Sequence, residues 1–411
     1  MNKNKIKQLG RIKTINGPVL FLMGPIGTYF SRLCNYLEKE NIKSYKVVFP
    51  LKEFGFKKHQ RIHFNHDMKY FKDFLLKVIE ERKIRHIFMY GDILIPHKIA
   101  IETCNALRNR GIDITTDIFE LGYLRPNYVT LESNNVNFKS NLPKDRIYYE
   151  KLASINKLPK ATYKVGIRYR KIWKGITFVM HAFTKYKIID YNHKLQPKPI
   201  YLYYQVLGLI RKYYYAIKEI NIKREIFNGL PFYLVVLQVS TDSQLTEGSE
   251  FNSVEDFIDY VIQEFKKSKI SKHRLIFKHH PRDRGYNNYK DAIRKSVNKH
   301  NLEEKVIYLH DTKIATLLRQ KSCKGSVMIN SSVGIQSLFH NIPVKALSNA
   351  IYNFDGLTDQ SKLVNFFKKP LGPDQELFKK FFVYIHQETQ INGNFDGFFP
   401  FKEVFNIDKK I

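Results

Sequence analysis

The sequence predicts a two-domain α/β protein built on doubly wound parallel sheets. Three observations predict it. The chain has 411 residues, too many for one ordinary core and suited to two. Short apolar runs alternate with helical periodicity twice, once before residue 150 and again after residue 229, the pattern of parallel strands crossed by helices. The residues of chemical character fall where the apolar runs stop. Those are the carboxyl ends of predicted strands, where such sheets bind ligands.

In the first half, 18–23 is a strand ending in Gly24-Pro25-Ile26-Gly27. A helix follows, with Phe30, Leu33, Cys34 and Leu37 on one face,. Residues 45–49 form a strand, 71–81 a helix, and 84–90 a strand ending at Gly91-Asp92. Residues 99–109 are helical and 113–119 a strand running into Glu120-Leu121-Gly122. Residues 1–150 are therefore expected to make the first domain. Residues 151–228 are rich in Tyr, Lys and Ile without strand alternation, and read as a helical connection.

The second domain is expected over 229–375. Strands are predicted at 232–239, 274–278, 306–309 and 325–329, with helices at 254–267, 291–300, 314–320 and 332–339. Ser253 is the N-cap of the first of these helices. Residues 376–411 are expected to form a helical tail.

The chain carries 69 Lys and Arg against 38 Asp and Glu, a formal charge of +31. Such an excess attracts polyanions, anionic headgroups or phosphorylated substrates. It is spread along the chain with no basic run or zinc-finger spacing, so an anionic membrane face explains it as well as nucleic acid does. The membrane surface is the expected partner, with no nucleic acid, which stays as a weaker alternative. Cys34, Cys104 and Cys323 are far apart and form no metal or disulfide pattern,. The basic N-terminal stretch has no apolar core of a leader, and no run approaches bilayer length. The expected location is cytoplasmic, at a membrane surface.

The densest constellation is Lys278-His279-His280-Pro281-Arg282-Asp283-Arg284-Gly285. Pro281 ends the strand, and the imidazoles and cations around it suit a diphosphate or nucleoside monophosphate. Asn330-Ser331-Ser332-Val333-Gly334 lies between a strand and a helix. Its hydroxyls suit a phosphate, and equally suit helix capping. Gly24 to Gly27 offers a small-residue turn that could admit an anion or serve as an ordinary strand-to-helix turn. Three carboxylates, Asp92, Glu120 and Glu132, stand near predicted strand ends, with Arg125 close to two of them. A carboxylate there could act as base, nucleophile or charge stabiliser, or pair with Arg125. No metal-ligand spacing accompanies them, and no metal is expected.

The segments GPIGTYFSRL, YGD, GYLRPNYVTLE, LQVSTDSQ, FKHHPRDRGY, NSSVGIQSL and IYNFDGLTDQ occur in one order along the chain. In that order and combination they resemble the capsular polysaccharide KpsS/LipB family, over nearly the whole chain from Gly24 to Asn394. The resemblance implies two Rossmann-like domains in a GT-B-like fold. It implies a retaining β-Kdo transferase that moves Kdo from CMP-Kdo to a phosphatidylglycerol-type lipid. CMP-Kdo would be a substrate, with no cofactor required. The protein would be peripheral on the inner membrane of a Gram-negative cell, with other capsule biosynthesis proteins as partners.

Related CMP-sugar transferases hold the CMP phosphate with a His-Pro motif and a Ser pair, which here are His280-Pro281 and Ser331-Ser332. Lys278, Arg282 and Arg284 would add positive potential. The family's acidic-acidic-Gly motif aligns with Glu120-Leu121-Gly122, so Glu120 would be catalytic, with Leu121 in place of the second carboxylate. Gly24, Gly27, Asp92, Arg125 and Glu132 would line the acceptor side. Two other readings stay open: a different CMP-sugar transferase of sialyltransferase type, and a non-catalytic capsule export protein that binds nucleotide or lipid.

Overall fold

The computed structural model describes residues 13–25, 27–49, 56–164, 199–240, 245 and 248–408. The chain divides into two compact units. One gathers Met1–Asn141, Lys157–Lys198 and Val383–Ile411, the other Leu142–Asn156 and Pro199–Phe382. Strands β1 (Lys13–Ile15), β2 (Val19–Phe21), β3 (Ser44–Val48), β4 (Arg61–His63), β5 (His86–Tyr90), β6 (Thr115–Leu121) and β7 (Tyr128–Ser133) belong to the first unit. The second unit holds β8 (Phe232–Val236), β9 (Arg274–Lys278), β10 (Val306–Leu309), β11 (Cys323–Met328) and β12 (Val344–Ala346). The chain then returns to the first unit with β13 (Gln390–Asn392) and β14 (Phe405–Ile407).

The main sheet of the first unit has the order β13-β7-β6-β5-β2-β3-β4. Strands β2 to β6 pair in parallel, and β7 and β13 are added antiparallel at one edge. Counted from β2, the parallel strands stand 3-2-1-4-5, so the order reverses between β2 and β5. The second unit has one parallel sheet, β10-β9-β8-β11-β12. Counted from β8 it has the same 3-2-1-4-5 order, reversing between β8 and β11. Each unit is thus Rossmann-like, and such a sheet binds ligands beyond the carboxyl ends of its strands at the reversal. Two such units in one chain are the composition of a GT-B-like fold.

Phe, Tyr and Trp make up 14% of the chain, and many of these rings pack in the first core. Helix Tyr29–Lys39 buries Tyr29, Phe30, Leu33, Cys34 and Leu37, the face the periodicity predicts. The Tyr29 ring meets Phe119 of β6 at 5.3 Å, and Phe395 and Phe399 at 4.9 and 5.0 Å, all edge to face, the arrangement ring quadrupoles favour. Arg32 of the same helix donates to the carbonyls of Phe395 and Gly397, at 2.6 Å each. The C-terminal segment is therefore part of this core. In the second unit Ser253 Oγ accepts from Asp256 N at 3.0 Å, capping helix Val254–Lys267 as expected. That helix buries Phe257, Ile258, Val261, Ile262 and Phe265 in one cluster with Val235, Leu275 and Phe277 of the sheet.

Two parts of the expected domain plan differ from the structure. In the expected connection 151–228, residues 165–198 lie outside the described residues. Its later part forms helices Pro199–Lys218 and Ile220–Phe227 and belongs to the second unit. The expected helical tail is a long helix only to Thr389, with one short helix, Phe401–Val404, beyond it. Past Thr389, β13 pairs with β7 and β14 with β1, extending the first unit. The tail differs because its strands pair with residues more than 200 positions away, and the helices of the connection differ because they pack on residues some 70 to 95 positions later, neither of which local periodicity registers.

Candidate functional site

The first unit brings Asp92 to the reversal of its sheet, with Glu120 on the adjoining strand. β5 ends at Tyr90 and turns at Gly91, whose φ of +70 favours glycine,. Asp92 follows, 3 % exposed. Glu120 is the penultimate residue of β6, inside the strand rather than after it, and pairs in register with Thr130 of β7. It is half-buried, and its Oε1 accepts from Leu121 N at 2.8 Å. Its Oε2 would lie 3.4 Å from a Cβ placed on Gly91. Glu120 and the Gly91-Asp92 turn are therefore neighbours.

Glu132 is placed differently. It faces Ile118 in the register, two residues further into the sheet than Glu120. It is 8 % exposed, with Oε1 accepting from Tyr123 Oη at 2.5 Å and Oε2 from Ser140 Oγ. Burial pushes its carboxyl up to about 7, and the charge of Asp92 adds to the rise,. The two hydroxyl donors work against it. Arg125 is exposed, and its Nε donates to Gly122 O at 3.0 Å. Gly24 packs under the Phe30 ring, which a Cβ would approach to 2.6 Å. Gly27 has a φ of +113. Packing and backbone conformation account for both glycines.

The second unit brings its candidates to one edge of its sheet. His280 and Pro281 follow β9, and Asn330 to Ser332 follow β11, with β8 between the two strands. The segment after β8 joins both loops. Gln238 Nε2 donates to Asn330 Oδ1 at 2.6 Å, and Ser240 N to Asp283 Oδ2 at 3.4 Å. Asp283 is 1 % exposed and also accepts from Tyr289 Oη at 2.7 Å and Asn287 Nδ2 at 2.9 Å. It fixes the His-Pro loop from within.

His280 is half-buried, with Nδ1 accepting from Arg282 N at 3.2 Å, and Pro281 and Arg282 are exposed. Lys278 and Arg284 turn inward. Lys278 Nζ donates to the carbonyls of His279 and His310 at 2.9 and 2.7 Å, and burial lowers its pKa to about 8. Arg284 Nη2 donates to His310 O at 3.1 Å and Asp311 Oδ1 at 3.3 Å. His279 is fully buried, shares a 2.7 Å hydrogen bond with Tyr308 Oη, and stacks on His310 at 4.6 Å. Of the two imidazoles only His280 reaches the edge. Ser331 Oγ accepts from Val333 N at 3.3 Å, whereas Ser332, at the cap position, makes no side-chain cap bond. Among the described residues no group of three His, Cys, Asp or Glu is placed to hold a metal.

The profile of the family described as "Capsule polysaccharide biosynthesis protein" matches residues 87–396. The chain is 34% identical over 406 residues to the capsule polysaccharide modification protein LipB of Neisseria meningitidis serogroup B, covering 94% of each chain. The chain belongs to this capsule polysaccharide biosynthesis family. It is also 32% identical over 387 residues to the capsule polysaccharide export protein KpsS of Escherichia coli, covering 91% of this chain and 95% of that one. Among solved structures, the β-Kdo 2,4 transferase of Thermosulfurimonas dismutans KpsC aligns at a TM-score of 0.40 with 13% identity over 88% of this chain and 89% of that one, a likeness too distant to carry weight. The capsule-family match takes in every candidate residue except Gly24 and Gly27.

Sequence reasoning passed over two side chains in the first unit of this capsule-family chain. His97, in the first turn of helix Ile95–Asn109, is fully buried and donates Nδ1–H to Gly91 O at 2.9 Å. Burial lowers its pKa to about 3, so it is neutral. Lys46, also fully buried, donates to Leu22 O at 2.7 Å. Together they hold the backbone at the ends of β5 and β2. The signal was available: His97 stands six residues after Gly91, in the first turn of the next helix.

Proposed function

We propose that this family member transfers Kdo from CMP-Kdo to a phosphatidylglycerol-type lipid at the cytoplasmic face of an inner membrane. The observation that carries the reading is the edge of the second sheet. There an imidazole, an exposed guanidinium and two serine hydroxyls follow β9 and β11, tied together through Gln238 and Asp283. A CMP-sugar carries one phosphate, which His280, Arg282, Ser331 and Ser332 could neutralise by charge and hydrogen bonding. Lys278 and Arg284 add positive potential from beneath the loop while their donors hold it in shape.

On this reading Glu120 carries the chemistry. Retention of configuration takes two displacements. A carboxylate oxygen bonds to the anomeric carbon as the bond to the CMP phosphate breaks and CMP leaves with its electron pair. The acceptor hydroxyl then bonds to the same carbon as the carboxylate departs with its electron pair, and the hydroxyl proton passes to the phosphate of the released CMP. Glu120 is half-buried beside the Gly91-Asp92 turn, whereas Glu132 is enclosed by hydroxyls. The names of the LipB and KpsS relatives support a capsule role.

Leu121 in the second acidic position favours a second reading, in which nucleotide or lipid is bound without transfer. Mass spectrometry of a phosphatidylglycerol acceptor separates the readings, after incubation with the protein and CMP-Kdo or CMP-sialic acid. A Kdo-bearing lipid is expected. A sialylated lipid alone would mean another CMP-sugar transferase. Nucleotide binding with no product from either donor would refute transfer.

A further inference from the structure

We infer that helix Pro199–Lys218 docks the protein on an anionic lipid surface through its outward face. The inference deepens the lipid-acceptor reading above, and it rests on a helix with two different apolar sides. One side is tied to the second unit. Tyr215 stacks on the His310 ring at 3.6 Å, Arg211 Nη1 donates to Arg284 O at 2.9 Å, and Tyr204 packs against Tyr286. The backbone of the helix rests on Gly285, where a Cβ would stand 1.9 Å from Tyr204 O. Just past the helix, Glu219 accepts the backbone N–H groups of His310, Asp311 and Thr312. The helix is therefore fastened onto the loop that carries Arg282 and Arg284.

The other side presents Tyr203, Val206, Ile210, Tyr213 and Ile217, at successive spacings of three and four residues. Ile210 is 61% exposed, Tyr213 65% and Ile217 71%. A helix apolar on both sides would ordinarily be enclosed, and a contiguous exposed patch of this kind marks an interaction surface. Charge decides what covers it. The helix contains Arg211, Lys212 and Lys218 and no Asp or Glu. Lys212 Nζ lies 5.6 Å from the Tyr213 ring and Lys218 Nζ 5.4 Å from the Tyr214 ring. Ammonium groups thus flank an aromatic and aliphatic stripe, in a chain of net charge +31. Tyrosine rings with snorkelling lysines suit the headgroup level of a bilayer, and the cations complement anionic lipid. No helix among the described residues is long and apolar enough to cross a membrane, so this one fits the plane of the surface.

The test is co-sedimentation of the full chain with vesicles of phosphatidylglycerol and phosphatidylcholine, and with phosphatidylcholine alone. Ile210→Glu with Tyr213→Glu adds two negative charges to the face. Lys266→Gln with Lys272→Gln removes the same two units of charge from exposed positions elsewhere on the second unit. The face pair should lower affinity for phosphatidylglycerol vesicles at least about tenfold, and the control pair by no more than about twofold. Circular dichroism confirms folding, and Ile217→Ser serves if the double variant does not fold. Equal loss in both pairs would overturn the inference in favour of diffuse charge, and unchanged binding in the face pair would overturn it outright. A wild-type dimer that the face pair dissociates would show that a second copy covers the face. Transfer to a short-chain, water-soluble phosphatidylglycerol reports on the transferase reading separately. It should persist in the face pair, and its absence from wild type would leave the vesicle result standing.

Discussion

Replacing Glu132 with Gln should change how stability depends on pH. In the folded chain the Glu132 carboxyl is pushed up to about 7 from an ordinary 4.5, chiefly by burial. Between those values the folded state holds a proton that the unfolded state has released, so stability falls as pH rises through the window. The rise from 4.5 to about 7 corresponds to about 3 kcal/mol, each tenfold in proton affinity being worth about 1.36 kcal/mol,. Gln reproduces the protonated form, with a carbonyl for Tyr123 Oη and an amide that can donate to Ser140 Oγ. Near pH 4.5 the variant should match wild type closely, and at pH 8 it should be the more stable by up to that amount. Urea unfolding at pH 4.5, 6, 7 and 8 reads the difference directly. A difference that does not change with pH would refute the burial argument. A variant less stable at every pH would show that the ionised carboxylate is what the two hydroxyls require.

Four further outcomes follow from the two sites. Glu120→Gln should lower transfer by roughly two or more orders of magnitude with CMP affinity unchanged, measured by turnover and by nucleotide titration. His280→Ala should weaken CMP binding and nearly abolish transfer while leaving the melting curve intact, because the side chain sits at the edge of the fold. Lys278→Met should behave oppositely to a ligand contact, lowering stability by about 1–3 kcal/mol because two buried carbonyls lose their donor. The variant should also lose the rise in stability that wild type shows from pH 8 upwards, since the folded ammonium gives up its proton at about 8, below its ordinary 10.5,.

Strands β2, β5, β9 and β11 are legible because they are largely apolar runs closed by glycine, His-Pro or Asn-Ser. The strands that reading misses are of another kind. β4 is Arg-Ile-His with both ends exposed, and shows no apolar run. β13 has three residues and exists because Gln390, Ile391 and Asn392 meet Thr130, Val129 and Tyr128. Nothing within either segment announces that pairing. β7 reads as part of a motif, GYLRPNYVTLE, and its role as the antiparallel neighbour of β6 appears only in the register.

The candidate site divides along the same line. β9 is buried on both faces, with Leu275 to Lys278 all enclosed, so strand alternation cannot tell which of Lys278, His279 and His280 turns outward. Sequence places all three at the strand end, and only His280 and the residues after Pro281 reach the edge. The carboxylates of the first unit are resolved by register as well. Asp117, Glu120 and Glu132 lie on paired strands, but Asp117 is fixed by Lys13 at 2.5 Å and Glu132 by Tyr123 and Ser140. Glu120 pairs with Thr130 one step from the strand's end, where β6 runs out beside Gly91. A carboxylate satisfied by buried hydroxyls has little left to offer a sugar. One at the end of a parallel strand, beside the reversal of a doubly wound sheet, stands where ligands of this architecture bind.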